Sequence, residues 1–167
     1  MKATVYVASM SADELIAELS CVRIIHRYAT AVDAVDTDLL RTCFFDDVES
    51  SYVGQPFTRG VTPIVEMIAR LERLKGTIHN LGPVAATIDG NTAHATAGCL
   101  VLAVNADAEP HGVIRGVKYN FGLAQRGGEW RIVRLEHRVM WATAAAQSGL
   151  MGEAIPTATK AADSEGR

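Results

Sequence analysis

The sequence lacks a basic surplus of charge and any long hydrophobic run. Its 167 residues carry 16 Lys and Arg against 19 Asp and Glu, a formal net charge of −3. The sequence therefore lacks the excess of basic residues that nucleic-acid binding requires. No apolar stretch approaches the roughly 20 residues of a transmembrane helix, and MKATVYVASM turns polar too soon for a secretory signal. We expect no nucleic-acid partner, no membrane partner and a cytoplasmic location.

Cysteine is scarce, and several common site motifs are missing. Cys21, Cys43 and Cys99 form no CxxC pair and leave an odd thiol, as expected for buried free thiols in a reducing compartment. The sequence contains no HxH, HExxH or Cys/His cluster, no glycine-rich phosphate loop and no GxSxG nucleophile elbow. We expect neither a metal nor a cofactor, and a serine-hydrolase mechanism is disfavoured.

Apolar periodicity predicts three helices followed by strands. Ser11 and Glu14 have the spacing of a capping box, and apolar residues then recur at three- and four-residue steps. A short second helix follows Asp36, and Pro63 suits the first turn of a third. FFDDVESSYV is predicted to be extended, and from Gly76 onward the period becomes that of four strands joined by turns.

This order of elements predicts an α+β domain with helices on one face of a curved sheet. With 49% hydrophobic residues, the chain can bury a core without disulfides. We expect the domain to span residues 11–141, after an N-terminal arm at 1–10. Residues 142–167 turn to Ala, Ser, Gly and Thr and are predicted to form a C-terminal arm or flexible tail.

The last predicted strand shows strict alternation. The residues predicted to face the concave, helix-covered side are Val133, Leu135, His137, Val139 and Trp141. Those predicted to face solvent or another subunit are Ile132, Arg134, Glu136 and Arg138.

The order and spacing of several segments resemble the SnoaL-like branch of the nuclear transport factor 2-like superfamily. The segments are RYATAVDAVDTDLLRTCFFDDV, the Gly60 turn, TIHN, the DGNTA hairpin and GGEWRI, and the resemblance runs from Ser11 to Trp141. It implies a cone-shaped α+β barrel in which a strongly curved mixed sheet wraps over three N-terminal helices around an apolar pocket. It also implies a homodimer or higher homo-oligomer. This fold hosts isomerases, dehydratases, cyclases and non-catalytic binders, so it does not fix the function.

Three positions resemble the site of bile acid 7α-dehydratase and lindane dehydrochlorinase type proteins. Asp33 and His79 fall where those enzymes keep an Asp–His pair, and Tyr28 matches the tyrosine of the dehydratase. The resemblance implies that His79 is a general base, that Asp33 orients it and that Tyr28 donates to a carbonyl oxygen. The residues alone leave a second interpretation open, with a structural histidine, a helix-end carboxylate and a core tyrosine.

The sequence also departs from the related enzymes. Tyr52 stands where ketosteroid isomerase has its base aspartate, and His94 lies too early to match the second histidine of scytalone dehydratase. The arginine that both dyad enzymes place on the last strand is absent from its predicted pocket side. Leu135 and Val139 occupy those positions, with His137 between them. Substrate handling is therefore expected to differ.

Further residues are predicted to contact a substrate. They are Tyr52, Tyr119, His137, Leu135 and Trp141. For Tyr119 and His137 the pattern leaves core packing open as the alternative. His26, His94 and His111 are expected at the rim or the surface.

Together these features predict a cofactor-independent lyase or isomerase acting on a small, largely apolar compound of steroid, terpenoid or polyketide type. Dehydration is the first expected outcome, ahead of a double-bond shift or ring closure. The competing hypothesis is a non-catalytic binding or dimerisation module of the same fold, such as a small subunit of a ring-hydroxylating dioxygenase. A contact between Asp33 and His79 beside an unfilled cavity would favour the enzyme.

Overall fold

The computed structural model describes residues 10–105 and 112–145. The helices within them are α1 (Ala12–Asp33), α2 (Thr37–Thr42) and α3 (Thr62–Ala69), the last followed by a 3₁₀ turn over Arg70–Arg73. The strands are β1 (Phe44–Tyr52), β2 (Thr58–Arg59), β3 (Leu74–Asp89), β4 (Thr92–Asn105), β5 (Gly112–Arg126) and β6 (Glu129–Ala145). No helix in this part of the chain combines the length and hydrophobicity that crossing a membrane requires.

Most of both predicted arms lies outside the described residues. The predicted N-terminal arm is described only at residue 10. The predicted C-terminal segment is described up to Ala145, where β6 ends. Residues 142–145 pair with β5, so the last strand continues beyond the predicted domain end at Trp141.

The sheet is mixed and open. Its strand order is β2-β1-β6-β5-β4-β3, with β1 parallel to β6 and the other neighbours antiparallel. Strands β3 to β6 are each 14–17 residues long, and strands of this length accumulate a pronounced twist. The prediction of a curved mixed sheet over three N-terminal helices is confirmed.

Helix α1 begins at the predicted capping box. The side chain of Ser11 accepts a hydrogen bond from the backbone N–H of Glu14 at 3.2 Å, and the Ser11 N–H donates to the Glu14 carboxylate at 2.7 Å. The predicted apolar stripe is buried only in the second half of the helix, since Leu15 and Leu19 are 43% and 57% exposed. The buried residues of α1 are Cys21, Ile24, Ile25, Tyr28, Ala29, Ala31 and Val32.

The end of α1 is held by a Schellman arrangement. The N–H of Val35 donates to the carbonyl of Val32, and the N–H of Asp36 donates to the carbonyl of Ala31. Val35 adopts a φ of 50°, a conformation in which glycine is usual and a β-branched residue is rare. This defined end fixes Asp33 in the last helical turn, facing the sheet.

Tyr28 is the centre of an aromatic cluster in the core. Its ring meets those of Phe44, Tyr119 and Phe121 edge-on, with centroids 5.8, 6.0 and 6.1 Å apart. Edge-to-face geometry at these distances is favourable for aromatic pairs. The cluster packs α1 against β1 and β5 and restricts the movement of the Tyr28 side chain.

A β-bulge at Val133 corrects the alternation predicted for the first half of β6. Arg134 and Ile132 pair with adjacent residues of β5, which leaves Val133 as an extra residue between them. An extra residue reverses the direction of the side chains on one side of it. Ile132 is consequently fully buried at 0% exposure, and the prediction that it faces outward is wrong.

A second bulge at Met140 has the same effect near the end of β6. Val139 pairs with Val117 and Trp141 pairs with Gly116, so Met140 is the extra residue. Trp141 therefore lies on the outer face of the sheet, 51% exposed, with its indole over Gly116. The predicted inward orientation of Trp141 is wrong.

Candidate functional site

A cavity of about 360 Å³ lies between the helices and the inner face of the sheet. The residues lining it are Tyr28, Val32, Tyr52, Val53, Met67, Ile68, Leu71, Leu74, Thr77, His79, Val101, Ala103, Arg115, Tyr119, His137 and Val139. Most of these side chains are apolar. Among the described lining residues there is no aspartate or glutamate, and the polar groups are tyrosine and threonine hydroxyls, two imidazoles and one guanidinium.

Asp33 and His79 make a two-point contact at one side of this cavity. Oδ1 of Asp33 lies 2.6 Å from Nδ1 of His79, and the backbone N–H of His79 donates to Oδ2 of Asp33 at 2.8 Å. The contact joins the end of α1 to β3, 46 residues further along the chain. It uses both carboxylate oxygens, so the orientation of the imidazole relative to the helix is fixed.

The surroundings of the pair define its chemistry. A carboxylate at a helix C-terminus faces the negative end of the helix dipole, so Asp33 needs the donors that His79 supplies. The side chains of His79 and Asp33 are 8% and 27% exposed. With Nδ1 held by the carboxylate, a neutral imidazole carries its proton on Nδ1 and keeps the lone pair of Nε2 free. Because His79 lines the cavity, Nε2 is the nitrogen left for a ligand.

Tyr28 and Tyr52 form a hydroxyl pair in the cavity wall. Their hydroxyl oxygens are 3.3 Å apart. Burial raises the pKa of Tyr28 to about 12. Burial, with a smaller contribution from Tyr28, also raises the pKa of Tyr52 well above its usual value. Both hydroxyls therefore stay protonated near neutral pH and can donate hydrogen bonds. Tyr28 meets both descriptions that the sequence left open, as a core residue and as a cavity residue.

Tyr119 and His137 face each other on adjacent strands. They are directly paired between β5 and β6, with ring centroids 5.2 Å apart, and the His137 ring lies 5.5 Å from that of Tyr52. Nδ1 of His137 is buried without a hydrogen-bond partner in the described residues. Burial, with smaller contributions from His79 and Arg115, lowers the pKa of His137 to about 4, so its imidazole is neutral near pH 7.

Arg115 lines the cavity and was not identified from the sequence. It lies on β5 opposite Val101 of β4, which in turn pairs with His79 of β3. The three residues form one row across the inner face. Arg115 and Tyr119 are four positions apart on the same strand, so the period-two alternation places both on one face and could have identified it.

Two of the predicted substrate contacts do not line the cavity. Leu135 points inward but is fully buried at 0% exposure opposite Phe121 of β5, so it belongs to the packed core. Trp141 is on the outer face because of the Met140 bulge. Of the other predicted contacts, Tyr52, Tyr119 and His137 do line the cavity.

The other two described histidines do not line the cavity. His26 and His94 are exposed, in agreement with the prediction, and His111 lies outside the described residues. No group of three or more His, Cys, Asp or Glu side chains within residues 10–105 and 112–145 has an arrangement suited to a metal ion.

The comparisons with known proteins concern family and fold. The family model described as a SnoaL-like domain matches residues 13–136. A solved structure of a candidate scytalone dehydratase from Novosphingobium aromaticivorans is similar, with a TM-score of 0.73 and 19% identity over 81% of this chain and 92% of that one. A type 2 hexachlorocyclohexane dehydrochlorinase (LinA) gives a TM-score of 0.72 and 16% identity over 82% and 95% of the two chains.

A nuclear transport factor 2-like protein with a cystatin-like fold, also from N. aromaticivorans, is similar as well. It gives a TM-score of 0.65 and 23% identity over 84% of this chain and 92% of that one. At these identities the similarity to solved structures establishes the fold alone. Among curated proteins, none matches the sequence significantly.

Proposed function

The chain belongs to the SnoaL-like domain family, and on that premise we propose that it is a cofactor-independent lyase or isomerase of the dehydratase type. Its substrate is a small, largely apolar organic molecule held in the cavity beside His79. His79 is the general base, Asp33 orients and stabilises it, and Tyr28 with Tyr52 holds a substrate oxygen.

The observation that carries this proposal is the contact between Asp33 and His79 at the cavity wall. A base needs a neutral imidazole with one free nitrogen, and the 2.6 Å contact to Nδ1 leaves Nε2 as that nitrogen. The carboxylate also stabilises the imidazolium that forms when His79 takes a proton. The largely apolar lining of the cavity strengthens both effects.

The proposed dehydration is balanced without a further reactant. Nε2 of His79 removes the proton beside a carbonyl group, and the electron pair of that C–H bond becomes the new double bond. The hydroxyl on the neighbouring carbon leaves with its bonding electrons and receives the proton from the imidazolium, giving water. His79 is thereby neutral again and ready for another turnover.

The tyrosine pair supports this reaction because charge develops on the carbonyl oxygen as the proton leaves. The raised pKa of Tyr28, about 12, keeps its hydroxyl protonated and able to donate to that oxygen. The aromatic cluster around Tyr28 holds this donor in place, which avoids reorganisation during the reaction.

The reaction can be tested without knowing the natural substrate. A panel of cyclic and aryl β-hydroxy ketones is incubated in D₂O with the wild type and with the His79→Gln, Asp33→Asn and Tyr28→Phe variants. NMR follows deuterium entry at the α-carbon, and ultraviolet absorbance follows enone formation. The wild type should accelerate both, and His79→Gln should lower the rates about 10²- to 10⁴-fold because the base is lost.

His94→Gln is the matched control, since His94 is an exposed histidine on β4. Circular dichroism checks that every variant is folded. Wild-type rates in folded His79→Gln and Asp33→Asn would exclude the proposed mechanism. Tight binding of the ketones with neither exchange nor dehydration in the wild type would instead favour a non-catalytic binder.

A homo-oligomer formed through the outer sheet face is part of the proposal. Four exposed apolar side chains support it: Ile78, Leu100, Met140 and Trp141, at 60%, 49%, 62% and 51% exposure. Gly116 of β5 pairs with Leu100 of β4 on one side and with Trp141 of β6 on the other, so Leu100 and Trp141 lie in one row of the outer face. An apolar patch of this kind marks a protein interface. Sedimentation should show a dimer or larger that Trp141→Glu dissociates, and a wild-type monomer at tens of micromolar would exclude it.

A reducing, cytoplasmic compartment is also proposed. The three cysteines are free and buried, which supports synthesis and function in the absence of disulfide formation. Protein isolated without a reductant and then unfolded should titrate with three thiols per chain. Fewer thiols would contradict this location.

A further inference from the structure

Arg115 differs from the other arginines of the sheet. The others each lie within ion-pair distance of a glutamate or aspartate: Arg59, Arg126, Arg131, Arg134 and Arg138. Arg115 is half-buried and lines the cavity, yet it has no carboxylate partner among the described residues.

The charge of Arg115 is also not balanced by another group of the cavity. The described residues that line the cavity include no carboxylate, and the Asp33 carboxylate that contacts His79 has both of its oxygens occupied by that residue. His137 is neutral near pH 7, as its pKa of about 4 indicates. A half-buried guanidinium that lines a largely apolar cavity without a counter-charge is stabilised by a ligand that supplies that charge.

We propose that Arg115 binds a carboxylate of the substrate, which makes the substrate an organic acid with an apolar body rather than a neutral molecule. The inference rests on the proposed function in that it takes the cavity as the substrate site. A guanidinium presents two parallel N–H donors that match the two oxygens of a carboxylate, so the acid is held in one orientation.

The position of Arg115 separates this anchor from the reacting atoms. His79, Val101 and Arg115 occupy one row on three neighbouring strands. Neighbouring strands are about 4.8 Å apart, so the backbones of Arg115 and His79 are separated by about 10 Å. The apolar body of the acid lies over Val101, and the carbon that loses its proton lies at the far end from the carboxylate.

The inference can be tested by binding measurements that need no turnover. The probes are benzoate, 2-naphthoate, 4-cyclohexylbutyrate and laurate, each compared with its own primary amide by isothermal titration calorimetry. The wild type should bind at least one acid about 10- to 100-fold more tightly than its amide, the range expected for charge-assisted hydrogen bonds. Arg115→Gln should reduce this preference to about twofold or less while leaving amide affinity nearly unchanged.

Arg138→Gln is the matched control because Arg138 is 60% exposed and pairs with Glu136 away from the cavity. Arg115→Met provides a second uncharged variant with a side chain suited to an apolar wall, and Arg115→Lys should keep part of the acid preference. The inference is overturned if the wild type prefers no acid of the panel, or if folded Arg115→Gln or Arg115→Met retains the preference.

The same measurements separate this inference from the proposed reaction. His79→Gln should retain the acid preference, since the anchor does not depend on the base. Loss of the preference in Arg115→Gln together with unchanged turnover in His79→Gln would support the anchor and reject the reaction. Loss of turnover in His79→Gln with no acid preference in the wild type would support the reaction and reject the anchor.

Discussion

Acidification should destabilise this protein through His137, and replacing His137 with glutamine should remove that sensitivity. The unfolded chain binds a proton at this histidine below about pH 6.5, whereas the folded protein does so only below about pH 4, because the ring is buried. Between these values the folded state holds fewer protons than the unfolded state. Its free energy of unfolding therefore falls as the pH decreases from 6.5 to 4.

The size of the effect follows from the two pKa values. The difference between 6.5 and about 4, at about 1.4 kcal/mol for each unit of pKa, corresponds to about 3 kcal/mol. The groups facing His137 do not oppose this direction, since Tyr52 and Tyr119 stay neutral in acid and both His79 and Arg115 act to lower the pKa of His137. Exposed carboxylates with lowered pKa values also make the free energy of unfolding fall in acid, but their contribution is the same in the wild type and the variant.

Urea unfolding followed by tryptophan fluorescence at pH 7, 6, 5 and 4 measures this difference. The free energy of unfolding of the wild type, relative to His137→Gln, should fall by about 3 kcal/mol between pH 7 and pH 4. The exposed His94 is the control, and His94→Gln should keep the pH dependence of the wild type. Parallel curves for the wild type and His137→Gln would refute the assignment of a buried, neutral His137.

Two further predictions follow from the corrected positions of Leu135 and Trp141. Leu135→Ala should lower the free energy of unfolding by about 2–5 kcal/mol, as for other buried leucines, and should leave ligand affinity unchanged in the folded protein. Val139→Ala should alter ligand affinity, because Val139 lines the cavity. An equal loss of affinity in both would mean that Leu135 does contact ligands. Gly116→Ala should displace the Trp141 indole, because its new Cβ would lie 2.2 Å from the indole Nε1. A fluorescence spectrum identical to that of the wild type would show that the indole does not cover Gly116.

The parts of the fold that were predictable are those whose interactions are local in sequence. Ser11 and Glu14 are three residues apart, and their reciprocal hydrogen bonds form within one helical turn. Asp36 likewise caps α2 through a bond to the N–H of Leu39, as the predicted restart requires. Such contacts depend on side-chain type and spacing, which are present in the sequence itself.

The orientation of β6 was not predictable in the same way. Its residues alternate regularly in the sequence, but the bulges at Val133 and Met140 arise from its pairing with β5. Because the side-chain period of a strand is two, a single extra residue reverses every side chain beyond it. This is why Ile132 is buried and Trp141 is exposed, against their sequence pattern.

The candidate site likewise has features that were predictable from the sequence and features that were not. By itself, the sequence determined where the helices begin, the order of helices and strands, and the family resemblance that pairs Asp33 with His79. Only the tertiary structure decided that both oxygens of Asp33 meet His79, that the neighbouring cavity is unfilled, and that Arg115 faces it without a carboxylate partner in the described residues. The physical reason is that burial, charge compensation and cavity volume depend on groups from strands and helices far apart in the chain, whose registers are set only when the sheet closes over the helices.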